Sequence, residues 1–317
     1  MDQSKNKKLS AFLQKYISFL AFAILFVLFS ATVPAKFLTG SNLLTFIGSS
    51  MDLLIVALGA TFIILLGSID LAAGSYLALC GVIAAKLYEA NGNLLLALLL
   101  TCLFAMAAYA LMGTIHAFMK VPTFITTLGF LQIIRACATM LSDGTNTSIP
   151  YESAFKTIFG LRPGILIVGF GIFVICLLIE KYTVFGRYTK LVGGDETVAR
   201  LSGVNVERIK ILVYTFAGIL TGLGSVVAAA RMGSGSPSVG EGYELTVISA
   251  VVLGGTSQRG GIGGVTGTLV GALTLKMLAN GLILWGLSSE VQKVVTGIIL
   301  ILAVFVSQER SKNMVVK

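Results

Sequence analysis

Apolar residues gather into long runs that short polar connectors separate. Crossing the ~30 Å hydrocarbon core of a bilayer takes about 20 apolar residues per helix, and fewer where protein covers the helix ends. The pattern predicts helices near residues 17 to 33, 51 to 66, 71 to 88, 94 to 115, 122 to 141, 164 to 180, 210 to 230, 245 to 256, 262 to 283 and 291 to 307. The eighth run is too short to cross alone, so we expect a half-helix that its neighbours shelter. The predicted fold is all-α, a polytopic transmembrane bundle of about ten helices.

Composition agrees with this pattern. Of the 317 residues, 56% are hydrophobic and 12% are charged, and the mean hydropathy is +0.93. A soluble domain carries about 25% charged residues. Because no stretch outside the apolar runs could bury a core of its own, residues 1–317 are predicted to form a single transmembrane domain.

The distribution of basic residues predicts the orientation. Ten crossings from a cytoplasmic N-terminus place both termini inside, and most of the 23 Lys and Arg residues then fall on cytoplasmic segments. Cytoplasmic loops carry such an excess. The net charge of +9 therefore indicates a membrane topology rather than a nucleic-acid partner.

Glycine spacing predicts close helix packing. The stretch "GGIGGVTGTLVGAL" places Gly263, Gly267 and Gly271 four residues apart in turn. Small residues at this spacing let helices approach closely. This pattern fits a tight bundle or a dimer seam, and it specifies no substrate.

Several polar residues within the apolar runs are candidates for function, because charges at membrane depth are costly. Asp70 precedes the third run, and we favour capping of that helix over direct substrate contact. Arg135 could face a polar pathway or pair with an acid such as Asp52. Lys276 and Asn280 share one helical face, so they could line a channel, or Lys276 could snorkel.

The connector "RMGSGSPSVGEGYEL" is predicted to be an external, flexible loop that bears Glu241 and Glu244. It could simply be solvated, or it could meet an extracellular partner. The sequence contains no phosphate-binding loop of the G-x-x-x-x-G-K-[ST] type and no nucleophile or metal motif. We therefore interpret the protein as a conduit rather than an enzyme, with no cofactor or metal on this chain.

The longest polar interruption on the predicted inner side runs from about residue 181 to 209. Within it, Asp195 is predicted to cap a short helix, and Gly203 suits the stop of that helix. Asn205 is then predicted to cap the helix that re-enters the membrane.

The short helix is amphipathic, with Val198 and Leu201 on one side. A free helix of two turns is marginal, so it must pack against something. Its own bundle and a docked partner are equally compatible with the residues.

Several long stretches carry a family resemblance across nearly the whole chain. The sequence resembles the membrane permease subunits of ribose-type sugar ABC importers, which work with a periplasmic binding protein. The matching stretches are "GSIDLAAGS" at 67 to 75, "VPTFITTLGF" at 121 to 130, "GGDETVARLSGVNVERIKILVY" at 193 to 214, "GSGSPSVGEGYELTVISAVVLGGTSQRGGIGGVTGTLVGAL" at 233 to 273 and "NGLILWGLSS" at 280 to 289.

This resemblance implies a type II ABC importer-like bundle in the bacterial inner membrane, paired with a second permease subunit as a homodimer or heterodimer. Two ATPase subunits, which hold ATP and Mg, would sit on the cytoplasmic face, and a periplasmic sugar-binding protein would dock outside near Glu241 and Glu244. Transport would proceed by alternating access. The segment 195 to 203 would be the coupling helix that rests on the ATPase, with contacts from Asp195, Glu196, Val198, Arg200, Leu201 and Gly203.

The chain also departs from the family pattern. Relatives often carry Glu-Ala-Ala before Arg-Leu-Ser-Gly, whereas this chain has Thr197, Val198 and Ala199, with its acids at Asp195 and Glu196. We interpret this difference as a mark of a particular ATPase or substrate. The sugar stays open, because a pentose, a hexose, a furanose or a sugar-like signal would suit this type of permease.

Two other classes of function compete with this interpretation. One is a secondary transporter that uses Asp70, Arg135 or Glu244 for ion coupling. The other is a polytopic scaffold or receptor that transports nothing. Uptake on an ion gradient without ATP would favour the first, and uptake that depends on residues 195 to 203 would exclude the second.

Overall fold

The computed structural model describes residues 18–299 and 301, and helices account for nearly all of the regular structure there. The elements, in chain order, are α1 Ser18–Thr32, α2 Pro34–Phe37, α3 Gly40–Gly48, α4 Met51–Leu65, α5 Ala73–Asn91, α6 Leu94–Met119, α7 Thr123–Ser142, β1 Thr147–Ser148, a π-helical turn Lys156–Gly160, α8 Gly164–Tyr182, α9 Val184–Gly194, α10 Glu196–Leu201, α11 Val206–Met232, β2 Ser234–Gly235, α12 Tyr243–Leu253, α13 Val265–Leu284 and α14, residues 289–299.

Helix length and composition agree with a membrane bundle. In the described part, six segments are long and apolar enough to span a bilayer: Gly40–Leu65, Leu94–Met119, Thr123–Ser142, Gly164–Tyr182, Val206–Met232 and Val265–Leu284. The predicted polytopic helical fold is confirmed, and the predicted count of ten helices is approximate. Helix α5 is long enough to span but is less apolar, because Lys86 and Glu89 lie near its C-terminal end. The last predicted run, 291 to 307, lies partly outside the described residues.

The core forms around α4, in which every residue is buried. Its sequence is apolar on all sides, which is typical of a helix that other helices surround. Helix α11 packs on α4, α5 and α6. At Gly59 the two central helices come so close that an added methyl carbon would lie 3.1 Å from the Ala217 carbonyl oxygen. Helix α6 lies further out and exposes large apolar side chains such as Leu103 and Leu111.

The predicted half-helix is confirmed as α12, which has only 11 residues. The segment that leads into it lies along α5, since methyl groups on Gly235 and Gly240 would overlap the carbonyl groups of Gly81 and Gly74. Strand β2 of this segment pairs antiparallel with β1. The prediction of a flexible connector is therefore wrong for residues 234–240, because main-chain packing fixes this segment against the bundle.

Three other predictions differ from the structure. The second span begins at Gly40 instead of Met51, because Thr39 caps α3 by accepting a hydrogen bond from the Asn42 N–H. Helix α9 was not predicted within the polar connector. Gly263 lies outside the glycine-spaced helix, because α13 begins at Val265.

The other two glycines of that spacing lie within α13. A methyl group on Gly267 would overlap the carbonyl group of Gly254, and one on Gly271 would overlap that of Ala250. Both glycines therefore allow α13 to approach α12 closely within one subunit. Gly263 has φ +116 in the preceding loop and lies against Thr256.

Candidate functional site

The short helix α10 is capped at both ends as the sequence predicts. The Asp195 carboxylate accepts hydrogen bonds from the N–H groups of Thr197 at 2.7 Å and Val198 at 3.1 Å. At the other end Gly203 has φ +78. The Gly203 N–H donates to the Arg200 carbonyl and the N–H of the next residue donates to Ala199, each at 3.0 Å. This pair of hydrogen bonds, together with a glycine in the left-handed conformation, stabilises a helix C-terminus.

Helix α10 exposes its apolar side chains and buries a small one. Leu201 is 85% exposed and Val198 is 48% exposed, whereas Ala199 is fully buried against the bundle. A single exposed leucine is common on protein surfaces and needs no explanation by itself. Here the two apolar side chains lie three residues apart on a helix that both caps hold in place, so they present a small preformed apolar contact surface.

Two ion pairs join α10 to the start of α11. Lys210 Nζ lies 2.5 Å from Glu196 Oε1, and the Arg200 guanidinium donates to both carboxylate oxygens of Glu207. A guanidinium that binds a carboxylate through two parallel bonds has a fixed relative geometry. The hydrogen bonds to the Glu207 carboxylate raise the pKa of Arg200 above its usual value.

Helix α9 anchors the same end of the bundle. A methyl group on Gly193 would overlap the main chain of α4 at Leu65, and the Gly261 N–H donates to the Leu65 carbonyl oxygen at 2.8 Å. Glu180 of α8 accepts from Lys190 at 2.7 Å and from the Val265 N–H, the first residue of α13, also at 2.7 Å.

Sequence reasoning missed Glu180 and Lys190, because their partners are set by the way helices meet and not by a spacing. The one available signal was an acid at the end of an apolar run. Together, α9 and the ion pairs give α10 mechanical links to α4, α8, α11 and α13.

Asp70 is held inside the bundle. Its carboxylate accepts from the Ala72 N–H at 2.8 Å and from the Tyr109 hydroxyl at 2.6 Å. Ala72 is the N-cap residue of α5, so Asp70 holds the turn that leads into this helix, and its capping of the helix itself stays a prediction. Asp70 is only 4% exposed in the subunit.

Asp52 forms an ionic cluster between α4, α11 and α13. The Asp52 carboxylate lies 3.1 Å from Arg231 Nη2 and 4.0 Å from Lys276 Nζ. The interpretation that Arg135 pairs with Asp52 is therefore wrong, because Asp52 instead pairs with Arg231 and Lys276. Lys276 lies at this cluster instead of extending along its helix to an interface, and Asn280 exchanges two hydrogen bonds with Asn42 at 3.1 and 2.9 Å.

Arg135 fixes the segment before α12. Its Nη1 donates to the carbonyl oxygens of Pro237 at 2.7 Å and Val239 at 2.6 Å. Glu241 is exposed, whereas Glu244 lies against α5, where a methyl group on Gly74 would meet its carboxylate. The two acids expected on one external loop thus have different surroundings, because the chain turns into α12 between them.

Among the described residues, no three side chains of His, Cys, Asp or Glu come together in a way that could hold a metal ion. The charged and amide side chains described above bind one another or the main chain, whereas the buried hydroxyls of Ser75, Tyr76 and Thr101 have no hydrogen-bond partner among the described residues. Helix α10 presents two exposed apolar side chains, Val198 and Leu201, on a helix that is capped at both ends.

The bundle of helices long and apolar enough to span a bilayer has the architecture of a polytopic membrane protein, and comparison with known proteins gives its class. A family model described as the permease component of branched-chain amino acid transport systems matches residues 42–304. The chain belongs to this permease family, which is a transporter family and not itself catalytic.

Curated relatives cover nearly the whole chain. It is 37% identical over 308 residues to the ribose import permease protein of Escherichia coli (strain K12), with 95% of each chain covered. It is 34% identical over 316 residues to the ribose import permease protein of Bacillus subtilis (strain 168), with 98% of each covered. The L-arabinose transport system permease protein of E. coli (strain K12) is 35% identical over 304 residues, which cover 94% of this chain and 92% of that protein.

No solved structure matches the chain. The resemblance to permease subunits of ribose-type sugar importers, expected from the sequence, is confirmed.

Proposed function

We propose that this chain is one permease domain of an ATP-driven importer that passes a monosaccharide across the bacterial inner membrane. The observation that carries the coupling part of this proposal is α10, a doubly capped helix that exposes Leu201 and is ion-paired to α11. Such a helix suits docking on a separate ATPase subunit. ATP and Mg bind there, and this chain holds neither.

The relatives support the sugar as substrate class. Two of them are named for ribose import and one for L-arabinose transport, and all three align over more than nine-tenths of their length. A pentose or another monosaccharide is therefore the substrate class we assign. It crosses at the seam between this chain and a second permease subunit.

Transport follows alternating access. Closure of the ATPase subunits moves the α10 helices, and the links through α9 and α11 tilt the two bundles as rigid bodies. The opposite end of the bundle receives sugar from a periplasmic binding protein. Glu241 is an exposed acid beside the segment that Arg135 holds, so we assign it to docking of that protein, with Glu244 behind it.

The orientation follows from the basic residues. Lys181, Arg187, Arg200 and Arg208 lie at the α10 end of the bundle, and basic residues favour the cytoplasmic side. We place α10 and both chain termini in the cytoplasm on this ground.

Substitution of Leu201 tests the coupling role. Because Leu201 is 85% exposed in the subunit, Leu201→Glu leaves the bundle folded but places a charge in an apolar contact with the ATPase. We expect ATPase association and sugar uptake in proteoliposomes to fall at least tenfold, whereas the matched control Leu201→Met retains both. Undiminished association and uptake with Leu201→Glu would contradict the assignment of α10 as the coupling helix.

A further inference from the structure

An open groove lies between the C-terminal end of α6 and the N-terminal end of α11, beside α10. Its volume is about 450 Å³, and Phe118, Asn205, Glu207, Arg208, Ile211 and Leu212 line it. Of its lining residues, only Glu207 takes part in the ion pairs that join α10 to α11. Its walls are mainly apolar, with polar groups gathered on the first turn of α11.

The groove carries one uncompensated positive charge. Both carboxylate oxygens of Glu207 accept from Arg200, so the charge of Glu207 is already balanced. Arg208 is exposed, and within the described residues its guanidinium makes no hydrogen bond or ion pair. Asn205 uses its side-chain oxygen to accept the Arg208 N–H at 2.9 Å, which leaves its amide NH₂ directed to no partner in that part of the chain.

An apolar stripe continues from this charge toward the middle of the bundle. Leu212 lies one turn beyond Arg208 on α11 and is 45% exposed, and Ile219 follows two turns later. On the antiparallel α6, Phe118 is 65% exposed, and Leu111 lies two turns further in. Residues spaced by four or seven share one helix face. The groove thus combines a cation at its end with apolar walls along its length.

The length of α11 sets the depth of the charge. Helix α11 has 27 residues, so it is about 40 Å long at 1.5 Å per residue. A bilayer is about 40–45 Å thick with its headgroups. The first turn of α11, which bears Arg208, therefore falls at the level of the lipid headgroups, and Leu212 and Ile219 fall at the level of the acyl chains.

We propose that this groove binds one anionic phospholipid. The lipid phosphate contacts Arg208 and the Asn205 amide, and the acyl chains lie along Phe118, Ile211 and Leu212. Basic pockets between membrane helices on the cytoplasmic side bind anionic headgroups. A soluble anion would match the charge but would leave the apolar walls unpaired, which is why a lipid is the occupant that fits both parts.

Lipid titration of the purified full-length chain, followed by native mass spectrometry, tests the proposal. Phosphatidylglycerol supplies the anionic headgroup and phosphatidylcholine with the same acyl chains is the neutral reference. We expect the unaltered protein to retain one phosphatidylglycerol more tightly than phosphatidylcholine. Arg208→Gln should weaken phosphatidylglycerol binding roughly fivefold, the effect typical of one cation near the membrane surface.

A matched control removes an equivalent charge elsewhere on the same end of the bundle. Arg187 on α9 is also exposed, and Arg187→Gln should leave phosphatidylglycerol binding unchanged. Equal losses with Arg187→Gln and Arg208→Gln would overturn the proposal, because they would reveal only a general surface charge. An unchanged lipid preference with Arg208→Gln would overturn it as well.

Two further measurements separate the lipid from other occupants. Displacement of the bound lipid by glycerol 3-phosphate, which lacks acyl chains, would show that the groove recognises free phosphate and would overturn the proposal. In the assembled transporter, Phe118→Cys in a background without the four native cysteines should react with a membrane-embedded thiol reagent. Cross-linking of that variant to the ATPase or to the second permease subunit, in place of this reaction, would show that a protein occupies the groove. That result would overturn the proposal of a bound lipid.

Discussion

Gly193 and Gly194 are adjacent in α9, yet the structure predicts opposite effects of the same substitution at the two positions. A methyl group on Gly193 would overlap the carbonyl group of Leu65, and one on Gly194 would meet nothing within 4 Å. Neither glycine has a positive φ, so backbone strain does not separate them. Gly193→Ala and Gly194→Ala therefore form a matched pair that tests the contact between α9 and α4.

The magnitude follows from three terms. Overpacking of this kind costs about 1–3 kcal/mol. The Leu65 carbonyl also accepts the Gly261 N–H at 2.8 Å, and loss of that hydrogen bond costs about 1 kcal/mol. The third term, the helix propensity that alanine gains over glycine, applies to both substitutions within α9 and cancels in their difference. The two variants should thus differ by about 3 kcal/mol in the free energy of unfolding, which is roughly a hundredfold in the equilibrium constant.

The assay is denaturant unfolding of the purified chain in a mixed detergent, with helicity and protease resistance as independent readouts. We expect Gly193→Ala to lower the free energy of unfolding and Gly194→Ala to leave it unchanged or to raise it slightly. Transport should follow the same order, because α9 links α10 to α4. Equal stability of the two variants would refute the close approach of α9 to Leu65 and, with it, the mechanical link.

Two further predictions concern the coupling helix and the ionic cluster. Asp195→Ala removes the cap of α10, which is worth about 1 kcal/mol, so the affinity for the ATPase should fall roughly fivefold in a binding titration. Asp195→Asn keeps the cap and should bind the ATPase as the unaltered chain does. Equal affinities for all three proteins would argue against the role of the cap. Asp52→Asn leaves Arg231 and Lys276 without their shared acid, and loss of one partner of a buried pair costs about 3 kcal/mol. Denaturant unfolding measures this loss against Asp143→Asn, which changes an exposed acid, and no difference between the two variants would show that the cluster adds nothing to stability.

Local features of the sequence predicted local features of the structure. The caps of α10 were predictable, because Asp195 and Gly203 act on neighbours within a few residues. The half-helix α12 was predictable because an apolar run of that length cannot cross a bilayer. Both predictions rest on the chemistry of the adjacent chain and need no knowledge of the tertiary packing.

Contacts between distant segments were not predictable in this way. Asp52 and Arg231 are 179 positions apart, and no spacing relates them, so Arg135 was an equally reasonable partner for Asp52. The start of α13 depends on the loop around Thr256, which places Gly263 outside the helix. The segment held by Arg135 resembles a solvated loop in composition, and only its contacts with α5 explain its burial.

The central claim is that ATP hydrolysis on a separate subunit drives a sugar through this permease. The most direct measurement is uptake of radiolabelled ribose and L-arabinose, and then of other monosaccharides, into proteoliposomes. These contain the permease, with a candidate partner ATPase loaded inside and a candidate sugar-binding protein added outside. We predict uptake of one such sugar that requires internal ATP and the binding protein and is unaffected by collapse of proton and sodium gradients. Uptake that persists without ATP and stops when an ion gradient is collapsed would contradict the account.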